Sequence, residues 1–258
     1  MALRILLLGG TSDARPLVEL LLGQGHGVLL SCLTEQAFLD ISRDGFCQRS
    51  GALDAEGLVT LLSQERIDAV VDAAHPYAQV LHATAVAACT AAGVPLVRYQ
   101  RPEALREGDD VAYARDHEEA ARLACRAGER VLLTVGSRFV HVYAQAAREC
   151  GCLLWARVLP NRESLEACER AGLAPDQIVA ELGPFSVEAN LELLRKVGAT
   201  VLVTKDGGDR GGVREKLEAA ALCGCRFLAV SRPETLAQAV VHDPQALLGE
   251  LGRLIARD

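Results

Sequence analysis

The feature of this sequence that most constrains its fold is a regular alternation between short apolar runs and longer segments of helical periodicity. Buried strands of a parallel sheet are apolar on both faces, and each needs a long crossover, usually a helix, to reach the next strand. The alternation therefore predicts an α/β protein built from βα units around parallel sheets. Aromatic residues make up only 4% of the chain, which disfavours an aromatic-rich β-sandwich.

The same pattern assigns the individual elements. Apolar runs predict strands at residues 3–8, 28–33, 69–73, 94–97, 131–135, 153–158, 178–181, 200–204 and 227–230. Helical periodicity fills most of the gaps, and an amphipathic segment near the end predicts a closing helix. The predicted helices include residues 13–22, 55–64, 79–92, 118–127, 139–149, 187–196, 214–222 and 243–258.

A polar stretch at residues 101–116 interrupts the alternation. It contains Pro102, Gly108 and the pair Asp109–Asp110, a composition typical of a linker. The stretch therefore predicts two α/β halves of ordinary domain size, residues 1–105 and 106–258.

The charge distribution and the opening segment exclude several classes of protein. The formal net charge is −7 and no basic stripe is present, which argues against a nucleic-acid surface. The opening apolar segment is too short for a signal peptide, and residues 73–97 are interrupted by His75, Pro76 and Pro95. We therefore expect a cytoplasmic protein that contacts neither nucleic acid nor a membrane.

Nine cysteines are present, but their spacing does not predict a disulfide framework. The pairs Cys150–Cys152 and Cys223–Cys225 are each separated by one glycine, which is closer than zinc-ligand spacing. Each of these glycines stands where a helix should stop and a strand should begin. Reduced, mostly buried thiols and no metal site are therefore expected.

The first strand-to-helix turn is a candidate dinucleotide site. Gly9, Gly10, Thr11 and Ser12 follow the first strand, at the position where main-chain amides and a helix dipole meet phosphates in dinucleotide folds. Thr11 replaces the middle glycine of the usual G-x-G-x-x-G/A pattern, and either Thr11 or Ser12 can cap the helix. A tight capped turn without a ligand is the alternative interpretation.

The end of the second strand bears on the choice of coenzyme. NAD-binding folds usually place a carboxylate there to hold the ribose hydroxyls. Here the position falls between Ser31 and Thr34, which have hydroxyl groups and do not repel a 2′-phosphate, although Glu35 follows directly. This pattern favours NADPH over NADH.

Polar residues also follow other predicted strands, where ligands of open parallel sheets gather. His75, Pro76 and Tyr77 follow the strand at 69–73, and His75 is either a proton donor or an ordinary turn residue. A glycine-rich segment at 204–212 contains Lys205 and Asp206 and is either a ligand-binding loop or a solvated one. Three further sets are candidate carboxylate or apolar-ligand contacts, each with a structural turn as the alternative: Gly136, Ser137 and Arg138; Gly183, Pro184, Phe185 and Ser186; Gly207 and Gly208.

Taken in order along the chain, these segments resemble the precorrin-6A reductase family. The resemblance covers nearly the whole chain. It rests on Gly9–Gly10–Thr11 with Arg15, Asp72 to Ala78, Arg101–Pro102, Gly183 to Ser186 with Glu188 and Asn190, Thr204 to Asp206 with Gly211–Gly212 and Lys216, and Arg232–Pro233. The sequence departs from the family pattern at Asp13, Tyr77 and Gly207, so no catalytic role is assigned to Gly207.

The resemblance implies two Rossmann-like domains with mainly parallel sheets and an interdomain cleft. Residues 1–105 would bind NADPH and residues 106–258 the tetrapyrrole, a precorrin whose ring double bond is reduced in cobalamin biosynthesis. The implied coenzyme contacts are Gly9, Gly10, Thr11, Ser12, Ser31, Thr34, His75, Pro76 and Tyr77. The implied substrate contacts are the three sets above with Lys205 and Arg232.

The chemistry leaves the proton donor open among His75, Lys205, Asp206 and water. A short-chain reductase is disfavoured because no Tyr has a Lys four residues later. A nucleotide-sensing regulatory module without turnover remains the alternative from another class, although it leaves the loop after Lys205 unexplained.

Overall fold

The computed structural model describes residues 2–208, 211–233 and 239–255. These residues form twelve strands and nine α-helices in the predicted alternation. The strands are β1 Arg4–Leu8, β2 Gly27–Cys32, β3 Phe46–Ser50, β4 Ala69–Asp72, β5 Leu96–Tyr99, β6 Ala112–Ala114, β7 Arg130–Leu133, β8 Leu153–Val158, β9 Ile178–Ala180, β10 Val201–Lys205, β11 Arg226–Val230 and β12 Ala239–Val241. The helices are α1 Ala14–Gly23, α2 Ala55–Gln64, α3 Gln79–Ala92, α4 His117–Ala124, α5 Val140–Cys150, α6 Arg162–Arg170, α7 Val187–Val197, α8 Val213–Cys223 and α9 Pro244–Ile255.

The strands form two parallel six-stranded sheets. The first has the order β12-β5-β4-β1-β2-β3 and the second the order β6-β11-β10-β7-β8-β9. Read from its other edge, the first sheet has the 3-2-1-4-5-6 arrangement of a dinucleotide-binding fold. The second sheet has the same spatial pattern, except that the strand at its sixth position, β6, comes first along the chain. The strand order reverses between β1 and β4 in the first sheet and between β7 and β10 in the second. Ligands bind at such switch points. The predicted α/β class with mainly parallel sheets is confirmed.

Alternating residues of β1 explain why its sequence is apolar throughout. Ile5 and Leu7 pack in one buried cluster with α1 and α9, while Leu6 and Leu8 pack in a second cluster with α2 and α3. Helices therefore cover both faces of the first sheet, as a buried parallel strand requires. In the second sheet Leu132 and Leu202 lie in a cluster with residues of α7 and α8.

The chain divides into two compact units. Unit 1 combines the residues up to Pro102 with those from Pro233 onward, and unit 2 contains Glu103–Arg232. The predicted boundary near 105 is close, but the assignment of the C-terminal segment to the second half is corrected. This segment belongs to unit 1 because β12 pairs with β5, and because Leu247 and Leu251 of α9 are buried in the unit 1 core.

The predicted linker at 101–116 is also corrected in part. Its residues Ala112–Ala114 form β6, which pairs with β11 at the edge of the second sheet. The strands β3 and β12 and the helix α6 were not among the predicted segments. The predicted closing helix agrees with α9 as far as Ile255, and its last three residues, 256–258, lie outside the described residues.

Candidate functional site

The β1–α1 turn brings main chain close to the start of a helix. A Cβ on Gly9 would lie 2.9 Å from Leu30 Cδ1 and 3.3 Å from Ala14 Cβ, so the packing of strand on helix needs a glycine there. Gly10 has φ +113°, a conformation that L side chains rarely adopt. Together the two glycines leave the main chain of this turn without side-chain cover, as a pyrophosphate-binding turn requires.

The side chains that follow fix the start of α1. The N-cap of α1 is Asp13, not Thr11 or Ser12 as predicted. Thr11 Oγ1 accepts the N–H of Asp13 at 3.3 Å and lies 3.4 Å from the carbonyl oxygen of Ala73, which joins this turn to the end of β4. Arg101 neutralises the Asp13 carboxylate, with 2.9 Å between Nε and Oδ2, and its Nη1 lies 3.5 Å from Ser12 Oγ.

The end of β2 contains a cation that the sequence did not predict. Ser31 is buried, and its Oγ accepts a 2.7 Å hydrogen bond from Nη1 of Arg49, its register partner on β3. Thr34 is exposed and precedes a short 3-10 turn, Glu35–Ala37. The predicted coenzyme contact Ser31 therefore has an arginine beside it.

The end of β4 is organised by a buried carboxylate. Asp72 is 1% exposed and accepts hydrogen bonds from Arg98 Nη1 at 2.6 Å and from the main-chain N–H of Ala74 at 3.1 Å. His82 Nδ1 lies 2.8 Å from Oδ2 of Asp72. Burial acts to raise the pKa of Asp72, but the hydrogen bond with His82 and the charge of Arg98 outweigh burial and hold the pKa below its usual value.

This carboxylate supports the loop that bears His75. Nε2–H of His82 donates to the carbonyl oxygen of His75 at 3.0 Å. His75 itself is exposed, and its ring centroid lies 5.6 Å from that of Tyr77, which is partly buried beside the buried Pro76. The predicted contacts His75, Pro76 and Tyr77 thus occupy one loop at the switch point of unit 1.

Unit 2 places cations at the equivalent strand ends. Lys205 ends β10 beside the switch point, and burial lowers its pKa to about 8, with the nearby charge of Arg138 acting in the same direction. Arg138 is exposed and lies in the β7–α5 turn, with its guanidinium carbon 5.5 Å from the ring centroid of Phe139. The charges of the predicted substrate contacts Lys205 and Arg138 are therefore close enough to affect each other.

The other members of that turn have structural contacts. Gly136 is exposed with φ +81°. Ser137 Oγ donates to Ser164 Oγ at 3.2 Å. Helix α5 begins at Val140, one residue after the start of the predicted helix at 139–149.

Asp206 anchors the loop after Lys205. Its buried carboxylate accepts main-chain N–H groups from Ala104 at 3.1 Å, Leu105 at 3.1 Å and Gly208 at 2.8 Å. Arg232 Nη2 lies 3.3 Å from Asp206 Oδ1, and Arg232 Nε donates to the Asp206 carbonyl oxygen. These contacts favour an anchoring role for Asp206 and Arg232. Gly207 and Gly208 are buried, whereas Asp209 and Arg210 of the glycine-rich segment lie outside the described residues.

A second cationic group adjoins the predicted segment at 183–186. Arg157 of β8 is 6% exposed, stacks at 3.8 Å on the Phe185 ring, and donates to Asn190 Oδ1 at 2.7 Å. Lys216 of α8 is also buried; burial lowers its pKa to about 8, and the charge of Arg157 acts in the same direction. Carboxylates act in the opposite direction on both groups: the charge of Glu181 raises the pKa of Arg157, and that of Glu215 raises the pKa of Lys216. Burial nevertheless outweighs them, so an anionic ligand would further stabilise the two charged groups.

The remaining residues of that segment have local roles. Ser186 is the N-cap of α7 and accepts the N–H of Ala189 at 3.2 Å. Gly183 and Pro184 are exposed and joined by a cis peptide bond. A Cβ on Gly183 would lie 3.0 Å from the Phe185 ring.

The structure also bears on disulfides, metal-binding clusters and membrane-spanning helices. All nine cysteines are free thiols, and the described residues contain no cluster of His, Cys, Asp and Glu that could hold a metal ion. Within the same residues, every helix is too short or too polar to span a bilayer.

Comparisons with known proteins identify the family of the chain. The family model described as precorrin-6x reductase CbiJ/CobK matches residues 4–251. The chain belongs to this family. It is 37% identical to the cobalt-precorrin-6A reductase of Salmonella typhimurium over 90% of this chain and 88% of the relative. It is 30% identical to the precorrin-6A reductase of Rhodobacter capsulatus over 96% and 95%.

A solved structure supports the same assignment. The structure described as CobK precorrin-6A reductase is similar to this chain with a TM-score of 0.79 and 29% identity over 98% of both chains. The predicted resemblance and the Rossmann-like fold of this CbiJ/CobK family member are therefore confirmed.

Sequence reasoning missed several charged residues of this family member. Arg49, Arg98 and Arg157 are single charged residues near the ends of short strands, and Lys216 lies in the first turns of a helix. An isolated arginine in an otherwise apolar strand, such as Arg98 or Arg157, is a usable signal, because burial of such a group requires a partner. Arg49 has no such signal, because β3 is partly polar. The Asp72–His82 contact had no such signal, since it joins a strand end to a helix.

Proposed function

We propose that the chain reduces one ring double bond of precorrin-6A, or of its cobalt form, with NADPH as the hydride source, to give the dihydro product in cobalamin biosynthesis. The proposal rests on the different groups that the two units of this family fold present at their switch points. Unit 1 presents bare main chain at its switch point, and unit 2 presents Lys205 and Arg138 at the equivalent place. We expect the protein to act in the cytoplasm on a small molecule.

The residues of unit 1 fit a nicotinamide dinucleotide. Gly9 lies where an added Cβ would crowd Leu30 and Ala14, Gly10 has a conformation that favours glycine, and β2 ends at Ser31 and Cys32 without a carboxylate. Gly9, Gly10, Thr11 and Ser12 would hold the pyrophosphate, while Ser31 and Thr34 would face the adenosine ribose. His75, Pro76 and Tyr77 remain the proposed contacts of the nicotinamide end.

The residues of unit 2 fit a polycarboxylate. The acetate and propionate arms of a precorrin are anions at neutral pH, and buried cations at strand ends can bind them by charge-assisted hydrogen bonds. Lys205 and Arg138 are the first proposed contacts, and the structure adds Arg157 and Lys216. Gly136, Ser137, Gly183, Pro184, Phe185, Ser186, Gly207 and Gly208 remain proposed contacts of the macrocycle, and Arg232 acts through Asp206.

The reaction needs one hydride and one proton. NADPH, when bound, supplies the hydride to one carbon of the double bond and becomes NADP⁺. The neighbouring carbon takes a proton. Lys205 is the strongest donor candidate, because its pKa of about 8 leaves it mainly protonated at pH 7 yet able to release a proton. His75 and water remain alternatives, whereas the Asp206 carboxylate is engaged as an acceptor of main-chain N–H groups.

Turnover with purified substrates tests the proposal. The assay follows the loss of NADPH absorbance with precorrin-6A and, separately, with cobalt-precorrin-6A under anaerobic conditions. We expect consumption of NADPH with at least one of them, and the ratio of the two kcat/KM values assigns the natural form. Binding of NADPH without consumption in either arm would contradict the proposal and support a nucleotide-sensing module.

A variant of Lys205 tests its role separately. Lys205→Ala should raise the substrate KM or abolish turnover while leaving NADPH binding unchanged. Lys196→Ala, which removes an exposed lysine of α7 in the same unit, is the matched control. Unchanged kinetics for Lys205→Ala would remove Lys205 from the site.

A further inference from the structure

Arg49 occupies the position in unit 1 that decides between the two nicotinamide coenzymes. It lies on β3 in register with Ser31, which is the penultimate residue of β2. In dinucleotide-binding folds the adenosine ribose lies at the end of this second strand. A carboxylate there binds the two ribose hydroxyls of NAD, whereas an arginine nearby accommodates the 2′-phosphate of NADP.

The guanidinium of Arg49 is held in a fixed orientation. Nη1 donates to Ser31 Oγ at 2.7 Å and to the carbonyl oxygen of Gly51 at 3.1 Å. Nη2 donates to the carbonyl oxygen of Ser50 at 3.0 Å. A guanidinium has five N–H donors, so these contacts use three and leave Nε–H and one Nη2–H for a ligand.

The charge of Arg49 has no carboxylate beside it. Its three acceptors are a hydroxyl and two carbonyls, and among the described residues Arg49 forms no ion pair, including with Glu35. A half-buried, oriented guanidinium without a counter-charge is a preformed site for an anion. The other arginines near this edge are engaged differently: Arg101 pairs with Asp13, and Arg98 pairs with Asp72.

We propose that Arg49 binds the 2′-phosphate of the coenzyme and makes the enzyme specific for NADPH over NADH, with Ser31 positioning the guanidinium. This inference rests on the proposed function, because it assumes that unit 1 binds a nicotinamide dinucleotide. It assigns a residue that neither the sequence pattern nor the glycine turn identified. The ligand class is an adenosine 2′-phosphate ester.

Binding of coenzyme fragments tests the proposal without turnover. Titration calorimetry would compare 2′,5′-ADP with 5′-ADP on the full chain and on Arg49→Gln, which removes the charge but keeps hydrogen-bonding atoms. We expect the variant to bind 2′,5′-ADP about 10-fold to 100-fold more weakly, the worth of a charge-assisted hydrogen-bonded contact, and 5′-ADP within about 2-fold of wild type. Arg43→Ala removes an exposed arginine of unit 1 and is the matched control, with no change expected in either titration.

Coenzyme kinetics give a second readout. The KM for NADPH should rise in Arg49→Gln while the KM for NADH stays constant, so the preference between coenzymes narrows. Arg49→Lys keeps the charge but loses the planar, two-pronged donor geometry of the guanidinium. This variant should recover part of the preference for NADPH over NADH. Ser31→Asp places a carboxylate beside the site and should reduce the affinity for NADPH more than that for NADH, even if Arg49→Gln folds poorly.

The outcomes separate this proposal from the one on which it rests. If wild type binds neither NADPH nor NADH, the proposed function fails and the role of Arg49 fails with it. If wild type binds NADPH and Arg49→Gln weakens NADPH and NADH equally, or neither, only the role of Arg49 is overturned.

Discussion

The two units share the same arrangement of five strands around the switch point but differ in the chemistry at their strand ends. In unit 1 the charges at the switch point are paired with each other: Asp13 with Arg101, and Asp72 with Arg98. The turn that remains consists of glycine main chain. In unit 2 the β10 end presents Lys205 near Arg138, and burial lowers the pKa of that lysine to about 8. At the switch point itself, the same sheet topology therefore presents main chain in unit 1 and cationic side chains in unit 2.

The comparison shows that the sheet topology determines where a ligand binds, whereas the residues at the strand ends determine which kind of ligand binds. Ligands of open parallel sheets gather at the switch point whatever they are, so the strand order alone predicts only the location. A dinucleotide pyrophosphate suits a turn of bare amides at a helix start, whereas the scattered carboxylates of a macrocycle suit separate cations. Variants that alter one strand end and spare the other can break or sharpen this division.

The largest effect is expected from filling the glycine turn of unit 1. Gly9→Val would drive a side chain into Leu30 and Ala14, displace the start of α1, and weaken NADPH binding about 100-fold in titration calorimetry. Gly136→Ala in unit 2 is the control, because a Cβ there has no heavy atom within 4 Å and only its φ of +81° is strained. Gly9→Ala adds a smaller side chain and can be measured instead if Gly9→Val does not fold. Wild-type affinity in both Gly9 variants would refute the assignment of this turn to the coenzyme.

The next effect is on stability and compares the buried carboxylates of the two units. Asp206→Asn leaves the buried Arg232 with only the exposed Glu103, at 3.9 Å, as a counter-charge and should lower the free energy of unfolding in urea by about 3 kcal/mol. Asp72→Asn should cost a similar amount through Arg98. The exposed Asp176→Asn is the control.

The affinity for NADPH should distinguish the same two variants. We expect Asp206→Asn, under conditions where it is folded, to bind NADPH like wild type, and Asp72→Asn to bind it more weakly because the His75 loop loses its support. Equal effects of the two on NADPH affinity would contradict the division between units.

A smaller effect concerns pH and the cations of unit 2. The pKa of Lys205 is lowered to about 8, so Lys205 is charged below pH 8 and loses its charge as pH rises through that value. The substrate carboxylates stay ionised, so kcat/KM should fall as pH rises above about 8. Lys205→Ala should have a lower kcat/KM and a shallower fall, and any fall that remains is assigned to Lys216, whose pKa is also lowered to about 8. Lys196→Ala should keep the wild-type profile. A Lys205→Ala profile parallel to that of wild type would exclude Lys205 as the titrating group.

The smallest effect distinguishes a helix cap from a ligand contact. Ser186→Ala removes the N-cap of α7 and should cost about 1 kcal/mol of unfolding free energy with the substrate KM unchanged. Asp54→Ala removes the N-cap of α2 in unit 1 and should cost about as much. A raised KM in Ser186→Ala alone would show that this hydroxyl also contacts substrate.

Sequence patterns predicted the fold more completely than they predicted the site. Nine of the twelve strands in the described residues were predicted, because buried parallel strands such as Leu153–Val158 are apolar and bounded by turn residues. The edge strands Ala112–Ala114 and Ala239–Val241 are short and partly exposed, so their apolar signal is weak. Strand ends indicated Lys205 and Gly9, whereas the contact of Arg49 with Ser31 depends on which strands lie side by side, and local patterns carry no such information.

The sixth strand of each sheet has a consequence for biosynthesis. Strand β6 precedes the other strands of its sheet along the chain, while β12 follows the whole of unit 2. On the ribosome, the second sheet can therefore be completed while the first still has β5 as an unpaired edge. The half that emerges first is finished last, which leaves nascent unit 1 with an open sheet edge, a known route to aggregation, until the carboxyl-terminal strand and helix are released.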